Sequence, residues 1–181
     1  MKLNLGCDKD KRDGWINLDC YDNPNADVIH DLNQYPWPFK DNEFDYVLAR
    51  WVIEHLDNPL RAMKEIWRIS KPDAIIEIGV PYWTHCYSWV DITHKRPFVY
   101  DSFSSLCGFV HSNKDLQNGY IPKLFEYEER KLIWGITEKP ILKYIAKFMN
   151  WLVNLCPLFV EHRIPFLIPI EFLYIKLRAL K

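Results

Sequence analysis

With 181 residues and 24 acidic against 23 basic side chains, the chain has length for one domain with a real core, and no net field that would favour nucleic acid or an acidic substrate. Its five cysteines, at 7, 20, 86, 107 and 156, form no CxxC pair and no zinc or disulfide spacing, so they read as reduced thiols of a cytoplasmic protein. No basic stretch with an apolar run follows Met1, so no secretory leader is expected.

The chain opens on Lys2-Leu-Asn-Leu-Gly-Cys7, an apolar strand running straight into glycine, followed by Trp15-Ile-Asn-Leu-Asp19, a second short strand ending in a carboxylate. Glycine after a strand lets the backbone approach a ligand, and an acid at the next strand tip can accept hydrogen bonds from both ribose hydroxyls. The pattern suggests a nucleoside site, with a plain turn as the competing reading. About nine residues separate the two strands, fewer than a parallel crossover with a helix needs. The first helix is therefore reduced to a turn or lost, or the pair is a β-hairpin turning at Asp13-Gly14.

Further strands are predicted at Ala26 to His30, with Asp31 at its end, and at Phe44 to Ala49. Leu60, Met63, Ile66, Trp67 and Ile69 have helical spacing over 59–70, closed by Lys71-Pro72, and Ala74 to Val80 gives a fifth strand. Strands separated by crossovers point to a parallel α/β sheet. From Pro81 to Gly119 the composition shifts to aromatics, histidines and short polar residues, with a helix predicted near Ser102 to Phe109; such a segment reads as an active-site cover. Two more strands are predicted at 125–134 and 170–178. Between them Lys139, Lys143 and Lys147 recur every four residues beside Ile141, Leu142, Ile145, Phe148 and Met149. This is an amphipathic helix with a basic stripe, suited to a core-packed surface position or to a membrane surface or partner helix. The uncharged run from Phe148 to Val160 is interrupted by Pro157, Glu161 and Pro165 before it could span a bilayer.

Leu-Asn-Leu-Gly-Cys at 3–7, Gly-Trp-Ile-Asn-Leu-Asp at 14–19, His-Asp-Leu at 30–32, Pro-Phe-Lys-Asp-Asn-Glu-Phe-Asp at 38–45 and Glu-His-Leu at 54–56 together resemble class I S-adenosylmethionine-dependent methyltransferases. Glu-Ile-Trp-Arg-Ile-Ser-Lys-Pro at 65–72, Val-Pro at 80–81 and Asp-Ile-Thr-His-Lys-Arg-Pro-Phe at 91–98 resemble a small bacterial and archaeal branch of them; the likeness covers roughly residues 2–110. It implies a Rossmann-like α/β fold, with a mostly parallel seven-stranded sheet, a shortened first crossover and an antiparallel last strand. One domain over 1–181 is expected, with an active-site cover at 81–122 and a helical insertion at 138–168 between the last two strands.

The same resemblance implies S-adenosyl-L-methionine as cofactor. Gly6, with Cys7 and Asp8, would lie under its methionine part, Asp19 would take the ribose hydroxyls and Asp31-Leu32 the adenine. Ala49 and Arg50 would face the sulfonium, and Trp51 would wall the methyl-transfer pocket. Two positions depart from the family. Asp8 stands where a second glycine is usual, so a Cβ meets a backbone needing positive φ. Asn4 stands where an acid often positions the amino group; it still accepts a hydrogen bond, without charge.

For an oxygen or nitrogen acceptor a base must take a proton, and histidine is the natural one near neutral pH. His94, oriented by Asp91 through an Asp-x-x-His spacing, is the expected base, with His55 as a further candidate. Asp91, His94 and His85 could also ligate a divalent metal, but spacing fixes no third ligand and no metal is assigned. Tyr82, Trp83, Tyr87 and Trp89 could stack on a sugar or aromatic acceptor, or pack in the core. The expected activity is methyl transfer to a small-molecule or glycan acceptor, with no nucleic-acid partner and with peripheral membrane contact through the 139–160 helix. The alternative is a weakened methyltransferase-like binding or scaffolding module.

Overall fold

A computed structural model describes residues 1–108, 122–135 and 139–181. Strands β1 (Lys2–Leu5), β2 (Ile16–Asp19), β3 (Val28–Ile29), β4 (Phe44–Arg50), β5 (Ser70–Pro81), β6 (Phe125–Ile133) and β7 (Phe172–Ala179) form one sheet, in the order β3-β2-β1-β4-β5-β7-β6. Strands β1 to β5 pair in parallel, while β7 runs antiparallel to both β5 and β6. This is the sheet the resemblance implied.

No hairpin joins β1 to β2. The two are parallel, with Asn4 opposite Asn17, and a loop without a helix connects them. Two buried amides supply the hydrogen bonds a helix would have made. Asn4 Nδ2 donates to the Asp10 carbonyl at 2.7 Å and to Asn17 Oδ1 at 3.2 Å. Asn17 in turn accepts the Arg12 amide at 2.9 Å and donates to the Arg12 carbonyl at 3.1 Å. Loop backbone that would otherwise be buried unpaired is thereby satisfied, which makes so short a crossover affordable.

Helix α1 (Pro59–Ile69) starts at Asn58, whose Oδ1 accepts the Arg61 amide, and places Ala62, Met63, Ile66 and Ile69 in the core. Lys71-Pro72 does not merely close it. β5 begins directly at Ser70, pairs with Phe44, and regains register after a bulge that includes Asp73 at φ +60°. The helix predicted near 102–109 is a short 3-10 turn, Ser104–Cys107, ended by Gly108; position 109 and the rest of the expected cover to 121 lie outside the described residues.

The amphipathic segment is two helices, α3 (Pro140–Leu155) and α4 (Pro157–Arg163), broken at Cys156 where proline cannot continue the ladder. α3 covers the β6 edge through side-chain amides. Asn154 accepts the Leu132 amide at 2.9 Å and donates to its carbonyl at 2.7 Å, while Asn150 accepts the Trp134 amide. The edge thus meets partners much as it would in another strand. A four-residue helix, α2 (Tyr87–Val90), lies in the segment after β5. Among the described residues no helix is long and apolar enough to cross a membrane.

Candidate functional site

The parallel strands point their carboxyl ends to one edge, where open α/β sheets form ligand crevices. There Gly6, Asp19, Asp31 and Trp51, from the ends of β1 to β4, line one cavity of about 510 Å³. That is a volume suited to a nucleoside-sized ligand.

Gly6 has φ +63°, and a Cβ there would sit 2.6 Å from Val52 Cγ2. Only glycine lets β1 turn beneath the exit of β4. Asp8 has φ +37°, the left-handed backbone anticipated for it, and its side chain also lines the cavity. Asp19 is buried at the tip of β2 and acts as the hub of the two turns. Its Oδ2 accepts the Asp8 amide at 2.7 Å and its Oδ1 the Cys20 amide at 2.7 Å. Each carboxylate oxygen retains acceptor capacity toward the cavity. Asp31 caps its own turn by accepting the Asn33 amide at 2.9 Å, with Leu32 buried beside it.

Four expected cofactor contacts are placed differently. Asn4 and Cys7 do not line the cavity. The Asn4 amide is spent on the β1–β2 loop, and the Cys7 thiol lies 3.8 Å from Asp19 Oδ2, where burial and that carboxylate push its pKa up to about 11. Ala49 and Arg50 belong to β4, which runs further than expected: Ala49 is fully buried between Leu5 and Ile78, and Arg50 lies beside Glu77 at 3.7 Å. The residue that turns toward the cavity is Trp51, at φ +58°, its amide held by the Gly79 carbonyl and its ring edge-on to Phe172 at 5.3 Å. Lys95, next to Asp57, also borders the cavity; neither was singled out from the sequence.

Trp51 and His55 are shared with a second pocket of about 360 Å³, completed by Glu54, Pro81, Tyr87, Val90, Asp91 and His94. Here Asp91 and His94 meet only through the backbone, and the Asp91 carboxylate turns to another partner. Asp91 Oδ1 accepts the Thr93 hydroxyl at 2.7 Å, and Thr93 Oγ1 lies 2.8 Å from His55 Nδ1. His94 lies against His55, ring centroids 4.7 Å apart, with its Nδ1 3.4 Å from the Ser88 carbonyl. Burial, then His94, lowers the pKa of His55. Glu54 follows Trp51 in a 3-10 turn at Ile53–His55 and is 1% exposed with no hydrogen-bond partner on either carboxylate oxygen. Burial pushes its pKa up to about 8. His85 stands apart, against Tyr87. Of the four aromatics, Tyr82 is core, Trp83 packs on Phe166, Tyr87 lines the pocket and Trp89 is exposed.

Residues 17–78 match the family model described as a methyltransferase domain. A search of curated proteins finds no sequence match. Among solved structures, a SAM-dependent methyltransferase from Archaeoglobus fulgidus is 19% identical with a TM-score of 0.55, covering 98% of this chain and 85% of its own. An S-adenosylmethionine-dependent methyltransferase from Mesorhizobium loti is 11% identical with a TM-score of 0.53, covering 98% and 89%. A chain from the complex between the Haloferax volcanii Trm112 methyltransferase activator and a methyltransferase is 16% identical with a TM-score of 0.56, covering 99% and 82%. At these identities the structural likenesses speak for the fold.

Proposed function

We infer that this chain, a class I S-adenosylmethionine-dependent methyltransferase in its fold and its matched segment, holds the cofactor in the larger cavity and transfers the methyl group to an acceptor in the smaller one. The observation that carries the reading is the adjacency of the two spaces: Trp51 and His55 border both, so a cofactor held across Gly6 and Asp19 would lie beside the second pocket. Two features of the larger cavity support the reading. A Cβ at Gly6 would force Val52 to shift, and Asp19 offers spare carboxylate lone pairs at the rim.

S-adenosylmethionine supplies a methyl carbon already activated by its sulfonium, so the chain's work is to align an acceptor and manage its polar group. Asp19 would take the ribose hydroxyls, Asp31 and Leu32 the adenine, and Trp51 would wall the junction. Glu54, His55 and His94 would meet the acceptor's reacting oxygen or nitrogen, with Asp91 and Thr93 fixing the His55 ring. The 81–108 segment closes over this junction, held by the Lys95 amide donating to the Glu54 carbonyl at 2.8 Å. Tyr87, exposed beside the pocket, offers a face for a sugar or aromatic acceptor.

Calorimetric titration with S-adenosylmethionine and S-adenosylhomocysteine tests the assignment. Micromolar binding of both supports it; no binding by folded protein would favour the weakened binding module. Asp8→Gly sharpens the test. The positive-φ strain is present in free and bound forms alike and drops out of the affinity, whereas removing a carboxylate near that of the cofactor relieves about 1 kcal/mol of repulsion. Binding is expected to tighten about fivefold. Weaker binding would mean that Asp8 makes a contact of its own.

A second reading concerns location. α3, α4 and the turn after them expose Tyr144, Phe148, Trp151, Phe159, Phe166 and Leu167 at 53–78%. Lys143 and Lys147 are exposed along the same helix. Aromatic and leucine side chains flanked by lysine suit the headgroup boundary of an anionic membrane. Sedimentation is expected with vesicles containing phosphatidylserine, reduced by Phe148→Ser with Trp151→Ser; equal partition of wild type and variant would overturn the membrane role.

A further inference from the structure

We propose that Glu54, His55 and His94 form a binding site for a divalent first-row transition-metal ion, through one carboxylate oxygen and two imidazole nitrogens, at the wall of the acceptor pocket.

The argument rests on what the three side chains lack. Their ligand atoms lie within 4.8 Å of one another, and neither Glu54 oxygen has a hydrogen-bond partner. Thr93 has one hydroxyl proton, and it goes to Asp91 Oδ1 at 2.7 Å. Toward His55 the Thr93 oxygen therefore accepts, so Nδ1 of His55 carries the proton and Nε2 a lone pair. His94 Nδ1 faces the Ser88 carbonyl, which can only accept, so its Nε2 is likewise a lone-pair site. Glu54 brings two more acceptor oxygens, both buried and unpartnered. Two buried, unpartnered carboxyl oxygens beside two imidazoles form a candidate cation site.

The remaining features agree. Each imidazole donates its far N–H to an oxygen, the arrangement that fixes the ring and tautomer of metal-bound histidines. Asp91 plays that part for His55 through Thr93. Bonds of about 2.1 Å in tetrahedral geometry hold ligands roughly 3.4 Å apart, so the side chains need close by little more than ~1 Å. Two histidines and one carboxylate leave coordination positions open. All three side chains line the pocket shared with Tyr87 and Val90, so an ion held by them would be placed to bind an acceptor through an oxygen. This last step rests on the second pocket being the acceptor site.

Cobalt(II) added to the purified, chelator-treated full chain is the test. We expect one visible-absorbing site per chain, without the thiolate charge-transfer band that the five cysteines could otherwise produce. His94→Ala and Glu54→Gln should each abolish the d–d absorption, and Thr93→Val should weaken cobalt binding at least tenfold while leaving all three ligands in place. Thermal melting checks folding, and the Thr93 variant, exposed and conservative in shape, keeps the proposal testable if Glu54→Gln is unstable. No cobalt spectrum, or one unchanged by His94→Ala, overturns the proposal. Binding of S-adenosylmethionine to the chelated protein is read separately. Its presence with no cobalt site sinks the metal alone; its absence beside an intact cobalt site sinks the methyl-transfer reading alone.

Discussion

Replacing Asp19 with alanine is expected to raise the dissociation constant for S-adenosylmethionine at least tenfold, measured by calorimetry on protein whose thermal melt shows it folded. A carboxylate that takes two hydroxyls makes charge-assisted hydrogen bonds, each costing about 1.5–3 kcal/mol when lost. Asp19 also ties the Asp8 and Cys20 amides to the end of β2, so the variant could lose affinity merely by loosening the turns. The two causes separate with a cofactor analogue lacking the ribose 2′-hydroxyl. If Asp19 grips the ribose, wild type binds the analogue poorly and Asp19→Ala barely discriminates. Equal discrimination by both proteins would leave Asp19 a turn-holding residue, and an unchanged dissociation constant would remove it from the site.

Much of the sheet is readable in the sequence because its central strands are buried on both faces and so appear as short apolar runs between polar ends. Leu3, Leu5, Leu18, Val47 and Ile76 are all fully buried. The shortened first crossover was legible from counting residues, and the left-handed backbone at Asp8 from the resemblance, which has a glycine at that place. What spacing could not supply is which side chain a polar residue meets. Asn4 looked like a cofactor contact, yet with Asn17 it replaces the missing helix. The three-residue interval between Asp91 and His94 suggested a pair, but the chain folds Thr93 onto His55, 38 residues away in sequence. Glu54 stood in the sequence only as part of Glu-His-Leu at 54–56, with no role of its own. Its burial, and the bond from the Lys95 amide to its carbonyl, are tertiary events that local periodicity does not encode.

Glu161 is another such case, and the structure gives it a measurable burden. Read from the sequence as one of the residues breaking an apolar run, it is 8% exposed at the end of α4. Its Oε2 accepts both the Tyr82 hydroxyl at 2.8 Å and the Tyr100 amide at 2.6 Å. One carboxylate thus joins the helical insertion to the end of β5 and to the segment beyond it. Glu161→Ala strands two buried donors, at about 1–3 kcal/mol each, and is expected to lower the melting temperature by roughly 6–12 °C. Glu161→Gln keeps an acceptor oxygen and should recover at least half of that loss. Tyr82→Phe removes one of the stranded donors, so in the alanine background it should cost much less than in wild type. Additive losses would show that the hydroxyl and the carboxylate do not share a bond. Because Pro81 lines the smaller pocket immediately before Tyr82, the alanine variant should lose more affinity for an acceptor bound there than for the cofactor. Loss of cofactor affinity in equal measure would mean that the insertion supports the whole sheet edge and not the acceptor side in particular.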